Sequence, residues 1–290
     1  MHLMHVICLL DILLLCHLSL SVCEILDPHF RTFNNQFFSY HGQCDLVLCR
    51  SEGFANGLGL DIHIRTTRVN SPVMQYSYIS GAAVKIDSDI LEISEDGKLM
   101  LNGNFVSLDE NTPHAIFGMF NFTKSVMGSK KKILVYKLEL PSNESIQIRA
   151  NLKSRMLFVD VNGVFPGSEG LLGAPPEDGK PLLARDGMTD LTGHWNTYGE
   201  EWQVNDKDPQ LFLDSKRFPQ YPDGCLYKEV EKHDHVRRRR RRLMETNNIS
   251  NEVATNTCSY LKEDTMRQFC IDDIMATGDL DLIEDPFYSN

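Results

Sequence analysis

Between Phe37 and Val164 apolar and polar positions alternate in short runs broken by turn residues. Leu58, Leu60, Ile62 and Ile64 alternate with Gly59, Asp61 and His63, which predicts a strand with one apolar face. Ile133-Leu-Val-Tyr-Lys-Leu-Glu-Leu and Ile146-Gln-Ile-Arg-Ala-Asn-Leu repeat the pattern, and Pro141-Ser-Asn-Glu-Ser between them predicts a hairpin turn. Met156-Leu-Phe-Val-Asp-Val, ended by Asn162-Gly163, reads as a strand buried on both faces. The stretches 82–93 and 98–108 read as a further strand pair joined at Glu95-Asp-Gly97. Many short strands with frequent turns predict a sandwich or barrel. No helical period interrupts them, so the first two hundred residues are expected to be all β.

The pattern changes after Cys225. Residues 227–242 are charged and carry no apolar period, which marks a linker. From Asn251 to Thr277, Val253, Cys258, Leu261, Met266, Phe269, Cys270, Ile274 and Met275 recur at steps of three and four, predicting two short helices. Asn256 or Thr257 is a candidate cap, Gly278 a stop, and Cys258 and Cys270 are placed to staple the pair. The acidic end, 279–290, is expected to fray.

The amino terminus sets the compartment. Residues 6–22 are apolar apart from Asp11, His17 and small residues, and the run ends in Ser19, Ser21 and Cys23. That is the form of a secretory signal peptide cut after Ser21 or Cys23, although no Lys or Arg precedes it. No later stretch has membrane length, so the mature chain is expected to be soluble and secreted, with no transmembrane segment. The division that follows is 1–23 signal peptide, 24–228 β domain, 229–246 Arg-rich linker and 247–290 helical tail.

Charge and cysteines sharpen this picture. The net charge is −11 even with Arg237, Arg238, Arg239, Arg240, Arg241 and Arg242 in the count, which argues against nucleic acid as a partner. The acceptor sequons at Asn121, Asn143 and Asn248 fit secretion. Cys8 and Cys16 leave with the leader, and Cys44, Cys49, Cys225, Cys258 and Cys270 stay. Cys23 either leaves too or is retained, and pairing with Cys49 would then give an even count. No Cys-x-x-Cys pair marks a zinc site.

Four blocks carry a family resemblance. The opening, Asp27-Pro-His-Phe-Arg-Thr-Phe-Asn-Asn-Gln-Phe-Phe-Ser-Tyr-His-Gly-Gln-Cys-Asp-Leu-Val-Leu, resembles the first signature of von Willebrand factor type D domains. Gly170-Leu-Leu-Gly173 stands where that family has Gly-Leu-Cys-Gly, Asp178-Gly179 and Asp186-Gly187 follow in an acidic loop, and Gly199-Glu-Glu-Trp-Gln-Val204 is similar to its Gly-x-x-Trp-x-Val strand. The resemblance spans roughly residues 24–228. It implies an antiparallel β-sandwich with Cys44 bonded to Cys225, a closure of about 180 residues contributing roughly 5 kcal/mol in the chain-entropy account. Leu172 and Glu169 stand where the family has cysteines, and the Cys-Gly-x-Cys motif of its multimers is absent from the sequence.

The resemblance also implies a calcium ion between the Thr-Phe-Asp-Gly turn and the acidic loop. Here that points to Asn34, Asp178 and Asp186, with Glu177 behind them; the alternative is that these are solvated turn residues. The arginine run is a solvated linker, a processing site or a polyanion patch. His233 and His235 lack a fixed third ligand. Asp27 and His29 are assigned to packing at the first strand and turn, and Trp202 to the core rather than to sugar stacking. No nucleophile elbow, phosphate loop or dinucleotide fingerprint is present. The function expected is non-catalytic: an extracellular module of matrix, cell wall or adhesion that binds a protein or glycan, with calcium as a possible cofactor. The rival is a secreted hydrolase, which would need a pocket uniting Asp27, His29 and Asp186.

Overall fold

A computed structural model of the chain describes residues 22–26, 29–68, 77–128, 133–163, 165–174, 181–213, 249–278 and 280–284. These residues form two antiparallel sheets and a few helices. The larger sheet runs, in spatial order, β10 (His114–Ile116), β11 (Phe120–Met127), β12 (Ile133–Glu139), β13 (Ser145–Asn151), β14 (Met156–Asn162), β1 (Val22–Leu26), β2 (His29–Arg31) and β3 (Phe37–Ser39). The smaller runs β4 (Asp45–Ser51), β5 (Leu60–Arg68), β6 (Ser77–Ile86), β7 (Asp89–Ser94), β8 (Leu99–Leu101) and β9 (Asn104–Val106). The sheets meet where β14 lies against β6. Ile146, Ile148, Leu157, Val159 and Val161 from one sheet share a core with Leu46, Ile62, Ile64, Ala82 and Val84 from the other.

The period-two reading holds best where alternation is cleanest. β12 and β13 pair from Ile133↔Asn151 to Glu139↔Ser145, around a turn at Pro141–Asn143. Two expectations about strands change. The stretch 82–93 is not one strand: it breaks at Asp87, whose φ of 54° starts the hairpin between β6 and β7. Likewise 98–108 folds into β8 and β9 around Asn102 and Gly103, both at positive φ.

Val22 and Cys23, assigned above to the leader, open β1 and pair with Asn162 and Val161. A cut after Ser21 leaves that strand whole, whereas a cut after Cys23 removes its first two residues.

The first two hundred residues are not all β. Trp195–Glu201 is a helix, α1, where the Gly-x-x-Trp-x-Val block predicts a strand. Only Gln203 keeps strand character, in an isolated bridge to Leu46. Trp195, Tyr198 and Trp202 are spaced by three and four, and Tyr198 and Trp202 turn to the core.

The tail forms α2 (Asn251–Thr257) and α3 (Asp264–Thr277), joined by the Cys258–Cys270 disulfide. Ser250, not Asn256 or Thr257, caps α2 by accepting from the Val253 N–H at 3.2 Å. Gly278 ends α3 at φ 69°, its N–H donating to the Ile274 carbonyl. Residues 280–284, expected to fray, instead form a 3-10 turn that buries Leu282. Ala254, Cys258, Leu261, Cys270, Ile274 and Leu282 pack on Phe158, which β14 presents on the face opposite the main core.

Replacing Cys258 and Cys270 with serine is expected to remove about 3 kcal/mol from the tail, given a separation of twelve residues. Limited proteolysis of the full chain should then cut within 249–284 about a hundredfold faster. The β12–β13 hairpin should stay resistant.

Candidate functional site

Three of the four resembling blocks meet at β4, an outer strand of the smaller sheet. Leu171 and Leu172 donate from their N–H groups to the carbonyls of Val47 and Leu48, both at 3.1 Å. Glu169 and Arg50 exchange both backbone hydrogen bonds, at 2.8 and 2.9 Å. The Val47 N–H donates to the Trp202 carbonyl and the Val204 N–H to the Asp45 carbonyl. From the opening block, the Phe33 N–H donates to the Leu172 carbonyl at 3.0 Å. The segments at 169–172 and 202–204 therefore close on β4, and the opening turn joins them through Leu172.

Glycines permit the approach. Gly170 sits at φ +120°, and a β-carbon there would lie 2.6 Å from the Leu48 carbonyl oxygen. Its own carbonyl accepts from the Tyr198 hydroxyl at 2.7 Å. Tyr40 is clasped from two sides, because β-carbons at Gly42 and Gly199 would meet its ring at 2.5 and 2.2 Å. The glycine of Gly-x-Cys and that of Gly-x-x-Trp thus face the same ring.

Charges lace the same junction. Arg50 Nε donates to Asp61 at 3.0 Å, and its Nη1 lies 3.0 Å from Asp208 and 3.4 Å from Glu169. Arg185 grips both oxygens of Asp208 at 3.0 Å, donates to the carbonyls of Glu201 and Gln203, and stands 4.9 Å over the Trp202 ring. His63 Nε2 lies 3.0 Å from Asp61. Burial pushes the Asp208 carboxyl up, but hydrogen bonds from Arg185, the Asn205 N–H and Arg50 hold it below the usual carboxylate range. Five charged side chains from remote segments compensate one another here, and the arrangement holds those segments together. Sequence reasoning missed this network, since nothing local marks residues 50, 61, 185 and 208 as partners.

Among the predicted cysteines, Cys258 and Cys270 are bonded as expected. Cys44 is disulfide-bonded, and Cys225, the partner that the resemblance implies, lies outside the described residues. Cys49 is a free, fully buried thiol, so the pairing with Cys23 does not form. Burial, with Asp61 and Glu169 close by, pushes that thiol far above its ordinary range, so it stays protonated.

The calcium triad is described only in part. Asn34 Oδ1 accepts from the Thr32 hydroxyl inside its own turn. Asp186 is exposed and accepts from the Met188 and Thr189 N–H groups and the Thr189 hydroxyl. The Thr189 hydroxyl and these N–H groups hold its carboxyl below the usual range. Asp178, Glu177, Asp27, His233, His235, Asn248 and the run Arg237 to Arg242 lie outside the described residues. No three His, Cys, Asp or Glu among the described residues are grouped to hold a metal. Asn121 on β11 and Asn143 in the β12–β13 turn are exposed. Trp202, at 2 % exposure, is a core anchor, and Arg185 covers one of its faces.

His29 opens β2, and it also lies under the tail at 3 % exposure, its ring stacked on Phe269 at 3.8 Å. Its Nδ1 is 2.6 Å from Ser39 Oγ, and its Nε2 is 3.4 Å from Asp273. Asp186 stands apart from it on an exposed turn, so His29 and Asp186 are not brought together. No protein-family model matches this chain, nor does any curated protein.

Proposed function

We propose that this chain is a secreted, non-catalytic interaction module built on a β-sandwich of the von Willebrand factor type D class. The observation that supports it most is the convergence on β4 of blocks as far apart in sequence as Asp45 and Val204. Such convergence is what a shared scaffold requires, since each block supplies one side of a single junction. Cys44 is bonded, as the scaffold demands. The exposed sequons at Asn121 and Asn143 suit an extracellular surface. The partner class is an extracellular protein or glycan, and the arginine run is a processing or spacer element.

Peptide mapping of the full chain under non-reducing conditions tests the scaffold. A Cys44–Cys225 peptide pair is expected, and any other partner for Cys44 removes the family reading. The chain made in animal cells should reach the medium and lose mass when N-linked glycans are removed.

Calcium at Asn34, Asp178 and Asp186 belongs to the same proposal. An ion at a hundredfold its dissociation constant adds about 2.7 kcal/mol, or about 5–11 °C in melting temperature for a domain of this size. Melting with calcium and with a chelator measures that shift. No difference removes the ion and leaves the scaffold standing.

A further inference from the structure

The outer face of the smaller sheet carries a cleft of about 250 Å3. Its floor is β5, β6 and β7, from which Thr67, Ser80, Glu92 and Ser94 line it. Leu211 and Phe212 cross this face and pack on Ala83, apart from the main core. Gly81 makes room for them, because a β-carbon there would stand 3.0 Å from the Phe212 ring. The ring in turn carries the Arg65 guanidinium at 4.2 Å, and the two form one wall. Glu95 and Arg155, from the turns after β7 and β13, form another as a 2.8 Å ion pair.

The charges around this cleft are already answered. Arg65 donates to both oxygens of Asp45, at 2.6 and 2.8 Å, and Asp96 pairs with Lys98 at 2.6 Å. Glu92, at 3 % exposure, accepts from the Leu213 N–H at 3.3 Å. An ionic guest would have to break such a pair or displace a partner. Backbone recognition is closed as well, since β6 is bonded to β5 and to β7 and offers no edge to an added strand. What the cleft presents is a set of hydroxyls and carboxylates in fixed places. Thr67 and Ser80 bond each other, and Ser94 donates to Asp96. Hydroxyls both donate and accept, so the set suits a guest that is itself made of hydroxyls. The volume lies just below the roughly 300–1,000 Å3 of sites for drug-sized ligands, which is room for one sugar ring.

We propose that this cleft holds one neutral sugar residue of a glycan, bound through Thr67, Ser94 and Glu95 with Phe212 and Arg65 as its wall. The proposal deepens the extracellular reading by choosing a glycan as partner, and it rests on that reading. The Cys44–Cys225 peptide pair tests the scaffold without any sugar, so either can fail alone.

Nuclear magnetic resonance titration of the full chain with glucose, galactose, mannose and N-acetylglucosamine tests the cleft. At least one should bind with a dissociation constant of about 2 mM, the affinity expected of about twelve well-placed heavy atoms. Amides of 65–67, 78–81 and 92–96 should shift, and those of β12 and β13 should not. Glu95→Gln alters an exposed rim pair and should weaken the sugar about tenfold or more while leaving the melting temperature unchanged. Thr67→Trp fills the cleft and should abolish binding. Sialic acid and arginine methyl ester serve as the anionic and cationic probes. No binding by any of the four sugars overturns the proposal, and so do shifts that map to another face. Tighter binding of either charged probe than of every neutral sugar also overturns it, as does a folded Thr67→Trp that still binds. Should Thr67→Trp fail to fold, unaltered affinity in Glu95→Gln overturns it instead.

Discussion

Gly199→Ala is expected to cost about 3 kcal/mol and to lower the melting temperature by about 6–12 °C. The new β-carbon would lie 2.2 to 2.5 Å from three atoms of the Tyr40 ring, closer than carbon atoms tolerate. The ring has no retreat, because Gly42 already leaves room for it on another side only by lacking a side chain. Backbone must move instead, and the backbone here is α1 and the chain leading into β4. A cycle with Tyr40→Leu separates this mechanism from a general loss of glycine freedom. The smaller side chain should recover part of the loss, giving a coupling above about 1 kcal/mol. Additive effects would show that the clasp on Tyr40 is not what makes Gly199 necessary.

Arg185→Ala should cost more, about 3–5 kcal/mol, read as a fall in the urea midpoint. The loss includes the uncovering of Trp202, but its larger part is the buried Asp208 left, among the described residues, with Arg50 as its cation. Two carbonyls, Glu201 and Gln203, also lose their donor. The acid limb provides a second check. The Asp208 carboxyl is depressed when folded, so its contribution is present above the unfolded value of 3.8 and lost as pH falls below it. Asp208→Asn should therefore be less stable than wild type at pH 7 but show a flatter decline below pH 4. A parallel decline would mean that this carboxylate contributes nothing to the acid response.

The parts of this fold legible in the chain are those whose cause is local. The β12–β13 hairpin follows from alternation beside a proline turn, and the two tail helices from steps of three and four. The β6–β7 turn was hidden, because apolar residues continue on both sides of Asp87 and only the Asp-Ser-Asp cluster marks the break. The helix at Trp195–Glu201 could have been found from Trp195, Tyr198 and Trp202, but the motif spacing around Trp202 suggested an extended segment. In fact the chain turns from helix to bridge within two residues. The setting of His29 was beyond reach. Its neighbours Phe269 and Asp273 lie some 240 positions away, and no local pattern relates them. The junction on β4 lies between these cases: the order of its blocks was readable, and the arginine network that binds them was not.

The strip from Glu169 to Leu172 has a further consequence for how the molecule behaves in a crowd. An outer strand with free amides is a template on which foreign chains can add. Here that margin is capped from within the same polypeptide, by hydrogen bonds at Val47, Leu48 and Arg50. Whatever pries the cap off, whether heat, mutation or an incomplete strip in a truncated product, uncovers a sticky seam. Polymerisation by strand addition is then the damage to expect.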